Sequence, residues 1–531
     1  MIKEINLVVR PNESVQIELL KSIASNEIGI DSNKINHIEI TKKSIDARGG
    51  KVKINLRLKV FIEEFVEEQK RWNLEPIQPN QVHSAKEVYI VGAGPAGLFA
   101  ALQAIENGFK PIIIERGKTV RERRRDLAMI NKEHIVNSNS NYCFGEGGAG
   151  TYSDGKLYTR SGKRGSIEKV LHTFVKYGAD LQILIDAHPH IGTNKLPKII
   201  ENIRHSIVDC GGEFYFNYQL VDLQISNKSL KGITVQHVEN KSLINFKTEK
   251  LILATGHSAR DIYQLLDQKQ IEIEAKPFAL GVRVEHPQDL IDSIQYHCSL
   301  AEIAETRKFL PAASYSLVEQ VNDRGVYSFC MCPGGIIAPC ATSPGEIVTN
   351  GWSPSKRNNP YANSGIVVEV NDIDFLPYKK FNALAGMWFQ AQVEQKAWQY
   401  GGMSQKAPAQ RLHDFVSKKV STNLPTCSYQ PGVSSVDLNE VLPHDVASRL
   451  RQAFTAFGKK MKGYLNNDAI VVGVESRTST PVRIPRNNNN LNHISIEGLL
   501  PCGEGAGYAG GIVSAAIDGI KCANAAVGKI V

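Results

Sequence analysis

The chain has 531 residues, of which 42% are hydrophobic and 22% charged, so a wholly disordered protein is excluded and about two to four domains are expected. Its formal net charge of +8 would by itself suit a nucleic-acid or acidic-membrane partner. Nine cysteines without a CxxC pair argue against a zinc ribbon, a thioredoxin-type redox pair and a disulfide scaffold. Because the first residues also lack the pattern of a signal peptide, we expect a cytoplasmic location.

The first 70 residues are predicted to form a small α+β domain with the order β-α-β-β. Alternation of apolar and polar residues predicts the strands, and apolar residues at helical spacing predict the helix. A polar stretch with two prolines follows at residues 71–86 and is interpreted as a linker. The predicted strands span residues 2–9, 35–45 and 52–60, and the predicted helix spans residues 14–24.

The strongest functional signal is a glycine-rich turn between a predicted strand at 87–91 and a predicted helix at 98–107. The turn has the spacing G-x-G-x-x-G. Gly92 permits the tight turn, Gly94 lets the backbone approach a pyrophosphate, and Gly97 lets the helix pack closely on the sheet. The N-terminus of the helix then offers unpaired N–H groups to the phosphates.

A second strand at 111–114 ends at Glu115 and completes the βαβ unit. Glu115 lies 23 residues beyond Gly92, the distance at which an acid accepts hydrogen bonds from ribose hydroxyls in dinucleotide-binding folds. A bare structural turn would explain the glycines alone. The agreement of strand, turn, helix, strand and acid therefore predicts a bound dinucleotide.

Two further segments repeat the glycine spacing without the surrounding fold. Residues 145–150 follow a polar run, and we interpret them as a backbone loop that lies against a flat ligand. Too few residues follow 505–510 for a dinucleotide fold of their own. A strand at 498–502 and a helix at 511–527 are instead expected to complete the first fold and to direct a helix dipole at a second part of the same cofactor.

Several of these segments resemble the glutathione-reductase-like FAD superfamily, whose members carry two dinucleotide-binding domains. A narrower resemblance spans nearly the whole chain and is to a largely uncharacterised bacterial family of FAD-dependent, or NAD(FAD)-utilising, dehydrogenases. Neither resemblance supplies a substrate. The first rests on residues 88–98, 115–117, 251–256 and 499–505, and the second on residues 44–48, 144–157, 276–287, 331–335 and 503–511.

The resemblance implies an α/β fold in which a Rossmann-like FAD-binding domain is interrupted in sequence by an inserted α+β domain. FAD would be bound non-covalently. NAD(P)H, if it reduces the flavin, must dock transiently or use the inserted domain, because the sequence has no second complete βαβ unit of this kind. The expected FAD-binding parts are residues 87–275 and 466–531, and the expected inserted substrate or cap domain is residues 276–465.

The resemblance also distributes the parts of FAD over the chain. It assigns the pyrophosphate to the first glycine turn, the adenosine ribose to Glu115 and the adenine to Leu220. It assigns the ribitol and phosphates to Gly503 and Glu504, and the flavin pyrimidine edge to the helix start at 511–513. The expected cofactor-binding residues are Gly92, Gly94, Pro95, Ala96, Gly97, Glu115, Arg116, Gly148, Gly150, Leu220, Thr255, Gly256, Gly503, Glu504, Gly511, Ile512 and Val513.

Lys156 and Arg477 are the candidate catalytic residues. Lys156 belongs to the second glycine loop and would polarise the flavin N1/N5 region, with a solvent-exposed loop charge as the alternative. Arg477 precedes the C-terminal FAD-binding strand and would contact substrate or flavin at the active-site wall. The spacing of histidines, cysteines and acids predicts no metal site.

Three cysteines and one histidine have two interpretations each. Cys143, Cys330 and Cys332 are interpreted as small buried residues, with a redox-active thiol as the alternative. His257 follows the predicted strand at 250–253 and is interpreted as a structural histidine in preference to an acid–base group.

The leading hypothesis is an FAD-dependent oxidoreductase that moves hydride or electrons between the flavin and a small-molecule substrate. The alternatives are a flavin monooxygenase and an RNA-associated flavoprotein or binding scaffold, the last suggested by the basic charge and the N-terminal domain. Residues 116–125, however, carry a net charge of +5, so the basic balance is one local cluster, near the adenosine or facing an anionic partner. Nucleic-acid and membrane partners are therefore disfavoured, and no particular oligomeric state is predicted.

Overall fold

The computed structural model describes residues 1–64, 74–159 and 161–529. The end of the predicted N-terminal domain, residues 65–70, and the start of the predicted linker, residues 71–73, lie outside the described residues. The domain boundaries expected from the sequence stay predictions. Among the described residues, no helix has the length and apolar character that crossing a bilayer requires.

The N-terminal unit is a three-stranded antiparallel sheet with one helix packed against it. Its elements are β1 (Ile2–Val9), α1 (Ile17–Ile28), β2 (Ile35–Asp46) and β3 (Lys53–Ile62). Strand β3 lies between β1 and β2, and its Leu58 is buried in one cluster with Leu20 and Ala24 of the helix. These two helical residues are four apart and so share one face. The predicted order β-α-β-β is confirmed.

A second unit begins with the strand, glycine turn and helix that the sequence predicts. Its helices and strands up to residue 268 are β4 (Glu87–Val91), α2 (Pro95–Glu106), β5 (Lys110–Glu115), α3 (Val120–Glu133), α4 (Ile167–Lys176), α5 (Gln182–Ile185), α6 (Leu196–Asp209), β6 (Glu213–Phe216), β7 (Tyr218–Ser226), β8 (Ser229–His237), β9 (Leu243–Lys247), β10 (Leu251–Leu253) and α7 (Arg260–Gln268). Pro95 opens α2, where its missing N–H costs no helical hydrogen bond. Strands β7, β8 and β9 form a separate antiparallel sheet.

A larger mixed sheet follows in the chain. Its region contains β11 (Glu274–Ala275), β12 (Phe278–Pro287), α8 (Gln288–Tyr296), α9 (Ile303–Thr306), β13 (Val318–Val321), β14 (Arg324–Cys332), β15 (Ile336–Pro339), β16 (Thr349–Trp352), β17 (Tyr361–Val370), α10 (Asp372–Phe375), α11 (Ala385–Tyr400), β18 (Ala407–Arg411), α12 (Leu412–Val416), β19 (Val433–Ser435), α13 (Leu438–Val441), α14 (His444–Lys460) and β20 (Ile470–Glu475). Seven of these strands pair in the order β13-β14-β17-β12-β20-β18-β19, and β15 pairs with β16 as a hairpin.

The chain then returns to the second unit. The last elements are β21 (Val482–Arg483), β22 (Leu499–Pro501) and α15 (Ile512–Ala526). Strand β22 joins a five-stranded parallel sheet of order β22-β10-β4-β5-β6, so distant parts of the sequence build one sheet. Strand β21 pairs with β11. The α/β class and the Rossmann-like βαβ unit expected from the sequence are confirmed.

Helices α2 and α15 pack against each other on one face of the parallel sheet. Gly519 is buried within α15, and an ideal Cβ at this position would lie 2.0 Å from the carbonyl oxygen of Ala96 in α2. No carbon atom fits at that distance, so the two helices approach as closely as they do because residue 519 lacks a side chain.

We expect Gly519→Ala to lower the free energy of unfolding by about 1–3 kcal/mol, because the helices must separate to admit the methyl group. Thermal and urea unfolding of the purified protein measure this loss. Gly50→Ala is the control, since nothing lies within 4 Å of its ideal Cβ and it should change stability by less than about 0.5 kcal/mol. Equal stabilities of the two variants would contradict the packing argument.

Candidate functional site

A cavity of about 400 Å³ lies between the carboxyl ends of the parallel strands and the larger mixed sheet. Such a position, beyond the carboxyl ends of parallel strands, is where open α/β sheets bind ligands. Its wall includes the first glycine turn, the loop at 148–156 and the start of α15. The strand β14 and the hairpin β15–β16 supply the opposite wall.

The first glycine turn is held in place by close backbone contacts. Gly92 has a φ of +105°, and an ideal Cβ on it would lie 2.2 Å from the carbonyl oxygen of Ala254. An ideal Cβ on Gly97 would lie 1.8 Å from the carbonyl oxygen of Gly92. At Gly94, by contrast, the nearest atom to such a Cβ is the Cα of Gly148, 3.9 Å away. Gly94 and Gly148 both line the cavity.

Glu115, at the end of β5, is buried and bonded to three backbone segments. Its Oε2 accepts the N–H of Ala93 at 2.9 Å. Its Oε1 accepts the N–H groups of Gly117 at 2.9 Å and Gly145 at 3.0 Å. A carboxylate offers about four acceptor positions, so Oε2 keeps one for a ligand hydroxyl in the cavity that Glu115 lines.

The second glycine loop is held by Arg123, whose guanidinium donates to four backbone carbonyl groups. The acceptors are the carbonyl oxygens of Asn141 at 2.7 Å, Tyr142 at 2.8 Å, and Glu146 and Gly148 at 2.9 Å. Arg123 is completely buried. Of the two roles predicted for the cluster at residues 116–125, a face for an anionic partner is therefore wrong for Arg123, which fixes a loop instead.

Other cations of the same cluster are also paired. Arg116 forms an ion pair with Asp261, and its guanidinium lies over the ring of Phe144, 4.5 Å from the ring centre. Lys118 pairs with Asp126 at 3.0 Å. Arg116 lines the cavity together with Leu220 of β7, and its Nη2 donates to Oε1 of the adjacent Gln219 at 3.5 Å.

Lys156 lies in the wall of the cavity near β14. Its ammonium group donates to the carbonyl oxygen of Met331 and lies 3.8 Å from the carboxylate of Asp154. Burial alone would lower the pKa of Lys156, but the nearby Cys330, Cys332 and Asp154 raise it above its ordinary value. Lys156 is therefore a cation at neutral pH.

Arg477 lines the cavity, but buried carboxylates bind its guanidinium. Glu394 on α11 accepts from Nε at 2.9 Å and from Nη2 at 2.8 Å, and Glu346 accepts from Nη2 at 2.8 Å. Arg260 donates to the same two carboxylates at 2.8 Å. Burial raises the pKa of Glu394, but Arg260 and Arg477 outweigh it and hold that pKa at about 2. These contacts favour a positioning role for Arg477, and its contact with substrate or flavin stays a prediction.

Two further ionisable groups in the cavity have shifted pKa values. Burial raises the pKa of Glu504 to about 7, against the lowering effect of Lys276. Burial and the charge of Arg477 lower the pKa of His257 to about 4, so this histidine is neutral at pH 7. Its Nδ1 lies 2.7 Å from the hydroxyl of Ser258. The structural interpretation of His257 stays a prediction.

Most of the residues that the sequence proposes for the site line this one cavity. The exceptions are Gly97, Gly503 and Val513. Gly97 lies against the backbone of Gly92 in the turn that precedes α2. Gly503 donates its N–H to Asp518 at 2.7 Å. Val513, near the start of α15, is buried in the hydrophobic core. The residues that do line the cavity are Gly92, Gly94, Pro95, Ala96, Glu115, Arg116, Gly148, Gly150, Lys156, Leu220, Thr255, Gly256, Arg477, Glu504, Gly511 and Ile512.

Sequence reasoning missed the residues that hold the site from a distance. Arg123 stood out only as one of several neighbouring cations, and Glu346 and Glu394 carried no local pattern. Their partners lie tens of residues away in the chain, so no periodicity or motif could have indicated them. A charged residue at a helix position that faces the core was the one available signal, as at Glu394, which shares a buried face of α11 with Ala391 and Ala397.

Two family models and a nearly full-length relative match this chain. A family model described as "FAD-dependent protein, C-terminal domain-like" matches residues 277–478, and a domain of unknown function matches residues 1–61. An uncharacterized protein of Clostridium beijerinckii is 39% identical over 529 residues, which is 97% of this chain and 96% of that protein.

Two solved structures that are similar to this chain have low sequence identity to it. The first is a flavoprotein/dehydrogenase from Cytophaga hutchinsonii, which is 11% identical to this chain. The match covers 84% of this chain and 80% of that protein, with a TM-score of 0.34. The second is a glycine oxidase from Bacillus cereus, which is 14% identical to this chain. The match covers 84% of this chain and 95% of that protein, with a TM-score of 0.30.

We expect Glu394→Gln to destabilise the protein at pH 7 by about 3–5 kcal/mol, because the buried guanidinium of Arg477 and the partly buried one of Arg260 lose a charged partner. The pKa of Glu394 in the folded protein is about 2, below its ordinary value of 4.5, so its contribution is complete above pH 5 and fades as pH falls toward 2. The stability difference between wild type and variant should therefore shrink between pH 5 and pH 3. Urea unfolding at several pH values measures it.

Glu239→Gln is the matched control for this experiment. Glu239 is an exposed carboxylate in the turn between β8 and β9, and its replacement should leave stability within about 0.5 kcal/mol of wild type at each pH. A Glu394 variant that behaves like this control would contradict the network as a determinant of stability.

Proposed function

This chain belongs to the family of the Clostridium beijerinckii protein, and we propose that it is an FAD-dependent oxidoreductase that binds FAD non-covalently in the cavity described above. The observation that carries the proposal is the convergence of three glycine-rich segments, from positions 92, 148 and 511, on one cavity. Glycine turns with only local structural roles would not be expected to line the same cavity. A ligand that needs close backbone approach along its whole length explains the meeting.

The residues present fit a dinucleotide. The turn before α2 directs the N–H groups of that helix at the cavity, where a pyrophosphate is favoured by the helix dipole. A side chain on Gly94 would extend into this space, whereas its absence leaves room for phosphate oxygens. The free acceptor position of Glu115 suits a ribose hydroxyl, and Leu220 and Arg116 would enclose the adenine.

The other end of the cavity suits the flavin. Bound FAD would supply two-electron redox chemistry, and the protein would supply binding, orientation and charge. Lys156 would hold a positive charge beside the ring system and so stabilise its reduced, negatively charged form. Arg477, fixed by Glu346 and Glu394, would form a rigid wall there. A small-molecule substrate would enter between the parallel sheet and β14.

The glycine turn offers a sharp test of FAD binding. We expect Gly94→Ala to lower the affinity for FAD at least tenfold, which corresponds to about 1.4 kcal/mol, with little loss of stability, because the new methyl group meets ligand instead of protein. Gly97→Ala should instead lower the melting temperature, since its methyl group meets the carbonyl oxygen of Gly92. Flavin absorbance after desalting and thermal unfolding measure the two effects.

Gly50→Ala serves as control and should change neither property. A wild-type protein that retains no flavin after reconstitution would overturn the proposed function. A Gly94→Ala protein that retains flavin as tightly as wild type would remove the first glycine turn from the binding site.

Lys156 can be tested through the reduction potential of the bound flavin. We expect Lys156→Met to lower this potential by about 30 mV or more, the equivalent of tenfold in a two-electron equilibrium, because the reduced flavin loses a stabilising cation. Anaerobic titration against a dye of known potential measures it. Lys156→Arg keeps the charge and should stay near wild type, as should the exposed Lys163→Met. Equal potentials in the Met and Arg variants would contradict an electrostatic role.

A further inference from the structure

Two cysteines lie at a break in the regular pairing of β14. Cys330 lines the cavity, and Cys332 is buried two residues further along the strand. The pairing of β14 with β17 shifts register between Phe329 and Cys332, which marks a β-bulge. Bulges re-aim side chains next to active sites. The thiol of Cys332 donates to the carbonyl oxygen of Cys330 at 3.2 Å, so the two residues fold back on each other.

Two cations flank this pair of cysteines. Arg283 is completely buried, and its Nη2 donates to the carbonyl oxygen of Cys330 at 2.6 Å and to the Sγ of Cys332 at 3.5 Å. On the cavity side, the ammonium group of Lys156 donates to the carbonyl oxygen of Met331, between the two cysteines. Thiols that react as thiolates sit in such electropositive, partly accessible surroundings.

The partner carboxylate does not fully compensate the charge of Arg283. Glu475 accepts from Nη1 of Arg283 at 3.0 Å, but burial raises the pKa of Glu475 to about 7. Near neutral pH a fraction of this carboxyl is therefore protonated. The guanidinium keeps positive charge available for the adjacent sulfur atoms.

The two thiols consequently differ in acidity. A hydrogen bond between the two thiol groups, aided by the charges of Lys156 and Arg283, outweighs burial and lowers the pKa of Cys330 well below its ordinary value. The same hydrogen bond raises the pKa of Cys332. One thiolate beside one protonated thiol is the arrangement from which disulfides form by thiol chemistry. By contrast, burial raises the pKa of Cys143 and of Cys340, which also line the cavity.

We propose that Cys330 and Cys332 are a redox-active dithiol that exchanges two electrons with the flavin, an inference that rests on the proposed binding of FAD in the same cavity. In the oxidising direction, the thiolate of Cys330 and the thiol of Cys332 lose two electrons, the S–H bond of Cys332 breaks, and one S–S bond forms between the two sulfur atoms. The two electrons and the proton from Cys332 pass to the oxidised flavin. In the reverse direction, the disulfide accepts the same electrons and proton and returns to one thiolate and one thiol.

The test counts thiols in the flavin-loaded protein. The protein is reduced with dithiothreitol, desalted without oxygen, and reoxidised with ferricyanide only until the flavin absorbance has recovered. Denaturation and alkylation then give the number of free thiols, and mass spectrometry of peptides locates the missing ones. We expect nine thiols before reoxidation and seven after it, with the peptide that contains residues 330 and 332 lighter by two hydrogen atoms.

Three comparisons make the outcome specific. Cys330→Ser and Cys332→Ser should each retain flavin and show eight thiols both before and after reoxidation. Cys298→Ser removes a cysteine that does not line the cavity, and it should fall from eight thiols to six. The flavin-free protein, treated in the same way, should keep nine thiols.

Other results would overturn the proposal in distinguishable ways. Nine thiols after reoxidation of a protein that binds flavin would refute the dithiol and leave the proposed function intact. Loss of two thiols in the flavin-free protein as well would refute the link to the flavin. A wild-type protein that binds no flavin at all would remove both proposals together.

Discussion

The buried carboxylate of Glu115 ties together the backbone segments on which the cavity depends. It accepts N–H groups from Ala93 in the first glycine turn, from Gly117 after β5 and from Gly145 in the second glycine loop. A carboxylate that accepts several backbone N–H groups fixes their relative positions strongly, because each hydrogen bond is charge-assisted. The acid that the sequence indicates as a ligand for ribose is thus also the structural centre of the site.

Positive charge in this region serves the same end. Arg123 donates to four carbonyl groups in and beside the second loop, which are buried or partly buried and would otherwise be costly to desolvate. Glu115 accepts backbone N–H groups, and Arg123 donates to backbone carbonyl groups. The loop is therefore held through both its N–H and its C=O groups. A loop without regular secondary structure gains in this way the rigidity that a wall of a binding site requires.

The features that could be predicted from the sequence are those set by residues close together in the chain. The βαβ unit around Gly92 and Glu115 follows from periodicity and glycine spacing, and the β-α-β-β order of the N-terminal unit follows from alternation. The contacts of Arg123 and Arg477 could not be predicted, because each depends on partners brought together only by the fold. Arg477 shows the difference well: its position near the cavity was expected, but its engagement by Glu346 and Glu394 was not.

The glycine spacing itself combines two physical requirements that a sequence pattern cannot separate. Gly92 and Gly97 are confined by protein backbone, because an ideal Cβ on them would lie 2.2 Å and 1.8 Å, respectively, from a carbonyl oxygen. Gly94 is confined by nothing closer than 3.9 Å, so the protein alone gives no reason for a glycine there. Since the fold accounts for the first two residues and not for the third, the third carries the information about the ligand.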